Sequence, residues 1–310
     1  MDHRGLRLRR IRLLALALTA LSLLIVLVST YIRLNGAGLG CVPWPECYGQ
    51  ILTGGQHPHS GGVRILHRGV ASLALLLGFV LVWQCLRPQP IEGPKKPATV
   101  LLALMILLTF VGIFSADPHR VWAGFINILG GAGLVSLSWY CFLTAQDGPP
   151  PAPKARGAAL LHAGLGLLVL TIALGALIGA RYAAPACPTL PGCADIELSV
   201  GWSALNPFAT ISVPAQLGDA GGAMLHLLHR LSALGSLLLL GVGGLRALAH
   251  GAARLGAGLM LLLLATQFIL GVSIVLSGFE PGLAVAHSVG AATLLAAGIH
   301  VLRRLKTGPV

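Results

Sequence analysis

The sequence predicts an all-α integral membrane protein, with eight transmembrane helices arranged as two pseudo-symmetric four-helix bundles. Three observations carry that expectation. Of 310 residues, 55% are hydrophobic and only 10% charged, whereas a water-soluble domain carries roughly a quarter charged residues. Eight apolar runs, at 12–32, 63–86, 98–116, 121–144, 157–180, 223–248, 254–277 and 282–302, reach the roughly 20 residues needed to span a bilayer. The last four runs also repeat motifs of the first four, in the same order.

The first run has the basic start and apolar core of a signal peptide. It is too long for an h-region, however, and its Tyr31-Ile32-Arg33 exit lacks a small-residue cleavage site, so it reads as helix 1. No Ser/Arg-rich, acid-poor segment precedes it, which points to a bacterial plasma membrane. Basic residues then set the expected orientation. Arg4, Arg7, Arg9, Arg10 and Arg12, the loop residues Arg87, Lys95, Lys96, Lys154, Arg156, Arg246 and Arg254, and Arg303, Arg304 and Lys306 all fall on one side. By the positive-inside rule that side, with both termini, is cytoplasmic. The net charge of +12 is thereby a topological signature and implies no nucleic-acid partner. Six of the nine acids (Glu46, Asp117, Asp195, Glu197, Asp219 and Glu280) lie on the opposite, outer face.

On that outer face, helix 1 is followed by RLNGAGLGCVPWPECYGQ (33–50) and helix 5 by ARYAAPACPTLPGC (180–193). Each holds a Cys-x5-Cys pair, Cys41/Cys47 and Cys187/Cys193, and the two pairs are 146 positions apart (187 − 41). Matched pairs on an oxidising face read as two loop-closing disulfides. A metal site is the other reading, but no His or acid repeats with the pairs. Cys85 and Cys141, near cytoplasmic helix ends, read as packing residues. Further along, LHRGVASLALLLG (66–78) in helix 2 returns as LHRLSALGSLLLLG (228–241) in helix 6. Gly112 of helix 3 aligns with Gly271 of helix 7, and Asn127 and Gly130 of helix 4 align with His287 and Gly290 of helix 8. This is an internal duplication: an N-terminal unit at 1–145, a Pro-rich cytoplasmic linker at 146–156, and a C-terminal unit at 157–310. The stretch 201–219, with Trp202 and Phe208, is expected to cap the bundle mouth.

Ionisable side chains at lipid depth usually serve a ligand, an ion or a redox centre. His229 in helix 6 and His287 in helix 8 each lie roughly 8–9 Å below the outer end of their helix at 1.5 Å per residue. Two imidazoles at one depth in one four-helix unit suit a bis-histidine haem. Ala233, Gly235, Ser288, Gly290 and Ala291 leave room for a flat macrocycle, and Arg230 is placed to pair with a propionate. Taken singly, each histidine could instead bond a neighbouring helix. His226 is expected at the pocket rim. His162, His250 and His300, near cytoplasmic ends, read as structural, and His57, His59 and His119 as outer-loop residues.

RLNGAGLGC-PWPEC, the repeated His-Arg, ARYAAPACPTLPGC and AHSVGAATLL together resemble the haem A synthase family of respiratory assembly enzymes, over essentially the whole chain. The resemblance implies a haem b cofactor between His229 and His287. It also implies that the N-terminal unit receives haem O (or haem B) as substrate at His67 and Arg68. There the C8 methyl is oxidised to a formyl group for cytochrome oxidase assembly. Haem O synthase and oxidase assembly factors are the partners it suggests. Two residues depart from the family pattern. Arg64 stands where the helix-2 motif has Glu, and Asn127 stands where helix 4 has a second histidine. They open the alternative of a non-catalytic, diverged paralogue that binds one haem for electron transfer or oxidase assembly. A transporter fits less well, since the repeats are parallel and no broken helix or midplane acid occurs.

Overall fold

The structure, a computed structural model, describes residues 3–39, 41–54, 61–147, 158–193 and 201–307. His57, His59 and all but the first two residues of the Pro-rich linker lie outside the described residues. Eight long helices are present among those described: α1 (His3–Gly36), α2 (Gly61–Leu86), α3 (Glu92–Phe114), α4 (Val121–Asp147), α5 (Ala158–Ala180), α6 (Ala220–Ala247), α7 (Arg254–Leu276) and α8 (Pro281–Thr307). Each is long and apolar enough to cross a membrane. The protein is a multi-pass membrane protein built from helices, which satisfy every backbone hydrogen bond within the segment itself. Leucines such as Leu76, Leu238, Leu255 and Leu276 stand fully outward because the solvent they meet is acyl chain.

Helix ends differ from the apolar runs where charged residues continue the helix. α1 begins at His3 and not near residue 12. Arginine is a good helix former, and Arg7 is anchored there, its Nε donating to the Gln84 carbonyl at 2.6 Å. α3 begins at Glu92, with Pro94 in its first turn, where a missing N–H costs little, and Pro97 inside the helix.

Within the first four helices, α1 packs on α2 and α4, and α3 on α2 and α4; within the last four, α5 packs on α6 and α8, and α7 on α6 and α8. The two sets meet through α1, α4, α5 and α8. Each has its own apolar core, centred on Leu18, Leu81 and Leu101 in one and on Leu161, Leu240 and Met260 in the other. Cys85 and Cys141 are free thiols buried in the first of these cores.

The cysteine-bearing loops share one end of the bundle. Cys41 is bridged to Cys47, and Cys187 to Cys193. Trp44 of the first loop packs beside Phe279 of the second set and Tyr48 beside Tyr182, with ring centres 5.9 and 6.1 Å apart. Burial pushes the Tyr48 and Tyr182 phenols above their ordinary pKa, against the pull of nearby Arg33, so both rings stay neutral. The segment 201–219 does lie across this end. Its Thr210 forms an antiparallel bridge with Arg120, the Ile211 carbonyl meets His119 Nδ1 at 2.7 Å, and the Ala215 N–H reaches the Tyr182 carbonyl at 3.3 Å. Pro214 presses on Gly49, where an added Cβ would come within 2.5 Å of the proline ring; that glycine also holds φ 74°.

Candidate functional site

The site is best formed between α6 and α8. Both helices start at the cysteine end with acidic caps: Asp219 Oδ2 accepts from the Gly222 N–H at 2.7 Å, and Glu280 accepts from the Gly282 and Leu283 N–H groups at 2.9 and 2.7 Å. A carboxylate there satisfies orphan donors and meets the positive end of the helix dipole. These two amides hold the Glu280 carboxyl below its usual pKa. Two turns into each helix come His229 and His287, whose ring centres lie 6.4 Å apart.

His229 Nδ1 sits 2.9 Å from the Thr171 carbonyl on α5. A carbonyl only accepts, so the proton is on Nδ1, which leaves the Nε2 lone pair free for a metal. Gly175 makes this placement possible, since a Cβ there would lie 3.1 Å from His229 Cε1. Gly271 of α7 stands beside His287, where an added Cβ would be in ordinary contact with the ring at 3.4 Å.

The pair can be tested against a haem iron. With metal–nitrogen bonds of about 2 Å and nitrogens about 1 Å from ring centres, two axial imidazoles place their centres about 6 Å apart. The observed separation of 6.4 Å fits. His287 Nδ1 is buried with no hydrogen-bond partner among the described residues. The donor set therefore suits a haem.

Arg230, next to His229, is partly engaged. Its guanidinium donates to the carbonyls of Thr189, Pro191 and Cys187 at 2.8, 3.2 and 3.1 Å, tying α6 to the second disulfide loop. Five N–H donors on one guanidinium leave room for a carboxylate as well. His226 is buried, with Nε2 3.0 Å from the Ala183 carbonyl, and braces α6 against the end of α5.

The first set looks different at the same motif. His67 is half-buried on α2, and Arg64 and Arg68 are exposed. Ile65 beside them is 73% exposed. Asn127 is partly buried on α4, and no hydrogen bond joins it to His67 among the described residues. Among the described residues, His67 thus has no counterpart of the Thr171 contact, and Arg68 has none of the loop bonds of Arg230. His162 meets a carbonyl of its own helix at 2.6 Å, His250, just beyond α6, meets the Arg246 carbonyl at 3.3 Å, and His300 stacks on Trp139.

Two contributors carry no motif. Thr171 acts through its main chain, and nothing in a sequence marks a carbonyl. Gln267, on α7, has a side chain 8% exposed and an amide without a partner among the described residues; an uncharged polar group inside an apolar run was the signal for it.

The class is therefore an eight-helix membrane protein with two facing histidines buried within its second four-helix set. The family model COX15-CtaA, described as cytochrome oxidase assembly protein, matches residues 126–299. The chain belongs to that family. It is similar to the heme A synthase of Shewanella oneidensis, 29% identical over 88% of this chain and 90% of that one. The heme A synthase of Sphingopyxis alaskensis is 30% identical over 78% of this chain and 68% of its own, and that of Halalkalibacterium halodurans is 24% identical over 88% and 89%.

Proposed function

We propose that this chain is a haem A synthase-like oxidoreductase, which oxidises the C8 methyl of haem O to a formyl group for cytochrome oxidase assembly. The observation that carries the reading is the His229–His287 pair at 6.4 Å in a chain of this family. A haem b bound there would supply one-electron transfer. His229, oriented by Thr171, and His287 hold the iron, and the remaining N–H groups of Arg230 take a propionate.

The N-terminal unit (1–145) holds the substrate haem by His67, with Arg68 and Arg64 facing its carboxylates and Asn127 on the far side. The C-terminal unit (157–310) is the cofactor half, and 146–156 links them. Methyl oxidation removes four electrons in two hydroxylations, each adding one oxygen, followed by loss of water to the aldehyde. Those electrons leave one at a time to an external electron acceptor, the transfer that a haem b held by His229 and His287 would supply. Both termini lie in the bacterial cytoplasm, as the arginine- and lysine-rich loops require. Haem O synthase as donor of the substrate, and oxidase assembly factors as recipients of the product, complete the scheme.

A second reading, a one-haem electron-transfer or assembly protein, draws on Arg64 and Asn127 alone. An arginine accepts no proton, and an amide is a weak iron ligand. Haem extracted from cells supplied with haem O, analysed by pyridine haemochrome and mass spectrometry, separates the two. Haem A as product supports the oxidase. Haem b alone supports the second reading, and in that case Arg64→Glu with Asn127→His should restore haem A.

A further inference from the structure

Gln267 and His287 form an unexplained pair. The Gln267 amide lies against α8 at Gly290, where an added Cβ would come within 2.0 Å of its Nε2. Gly290 is one turn beyond His287, and Gly271, which flanks the His287 ring, is one turn beyond Gln267. The His287 ring also approaches the Gln267 main chain, yet its Nδ1 and both amide atoms of Gln267 lack hydrogen bonds among the described residues. Buried amides and imidazoles seldom stay unpaired, because each has given up water.

Packing alone does not ask for an amide here. In the first set the equivalent of Gln267 is Leu108, and it fills the equivalent notch. An added Cβ on Gly130 would lie 2.4 Å from Leu108 Cδ2. One knob, from the third helix of its set, sits over one glycine of the fourth in both halves; only the half with two facing histidines uses a polar knob. Within that half His229 already has the Thr171 carbonyl for its Nδ1–H, while the His287 ring only approaches the Gln267 main chain and its Nδ1 makes no hydrogen bond among the described residues. A metal-bound imidazole needs such an acceptor to fix its tautomer and raise its basicity.

We propose that Gln267 is a positioning residue for His287, its Oε1 accepting the Nδ1–H of that imidazole once haem occupies the space facing His229. This rests on the bis-histidine reading of the site. Accepting that proton makes His287 a stronger donor to iron and favours the ferric state, so Gln267 lowers the haem midpoint potential.

The test uses the full chain purified with its haem, read by redox titration and by electron paramagnetic resonance of the ferric form. Gln267→Leu copies the first set's own residue, and should raise the midpoint and shift the low-spin g-values at unchanged haem content. Gln267→Glu keeps an acceptor and should return the midpoint to the wild-type value or below, while Leu108→Gln should leave it unmoved. If Gln267→Leu instead loses its haem, retention by Gln267→Glu supports the assignment and loss by both overturns it. A wild-type midpoint and wild-type g-values in Gln267→Leu also overturn it. Wild-type protein without a low-spin haem would instead remove the bis-histidine reading beneath it.

Discussion

The tripeptide Leu-His-Arg occurs twice in the chain, at 66–68 on α2 and 228–230 on α6, and its two copies have different surroundings. At 229–230 the imidazole is held by a carbonyl of α5 and the guanidinium by three carbonyls of the disulfide loop. At 67–68 the imidazole has no hydrogen bond among the described residues and the guanidinium is exposed. α6 packs along α5 more extensively than α2 does along α1. The contrast teaches that the motif alone does not make a site; the neighbours that orient it do. A pre-oriented pair suits a resident group, and a looser one suits a molecule that must enter and leave.

The sharpest way to break this comparison is to remove the imidazoles. His229→Ala or His287→Ala should abolish the low-spin haem spectrum of purified protein, whereas His67→Ala should leave it in place. An unchanged bis-histidine spectrum in either of the first two variants would sink the assignment. A smaller difference is expected at the arginines. Arg230→Ala removes charge-assisted bonds worth about 1–3 kcal/mol together, and should lower the thermal midpoint in detergent. Arg68→Ala, an exposed position, should cost no more than about 0.5 kcal/mol. Equal losses would mean that the first loop is bound by Arg68 in the membrane.

The smallest effect concerns pH. The folded Glu280 carboxyl has its pKa lowered by the Gly282 and Leu283 N–H groups. Its cap is therefore fully present above the unfolded carboxylate range of about 4.3, and is lost as pH falls through the lower folded value. Amide exchange at Gly282 and Leu283, corrected for intrinsic rate, should quicken in that acid window and in Glu280→Gln at neutral pH. Exchange insensitive to both would assign the cap no role in holding α8.

Much of this was legible beforehand, for reasons that also explain what was not. Helix number follows from apolar length, because lipid imposes it. Helix ends were less legible: hydropathy senses the bilayer, while α1 and α3 continue as helices into charged sequence. His229 and His287 stood out as ionisable groups at matched depth in repeated surroundings. Thr171 could not be found that way, since its carbonyl is common to every residue type. Nor could the loop carbonyls that occupy Arg230, whose positions depend on how the 187–193 loop closes. Leu108 and Gln267 become comparable only once both are seen over their glycines.

The strap at 201–219 has a consequence for assembly. Its sequence lies between α5 and α6, but its bridge to Arg120, its contact with His119 and its seat on Gly49 belong to the other four helices. Among the described residues, one half carries the strap and the other carries the sockets. Two like halves brought together would lose the bridge to Arg120 and the Pro214–Gly49 contact. The strap thus acts as a key that makes the pairing of the halves directional, favouring one unlike pair within a chain over like-with-like pairing between chains.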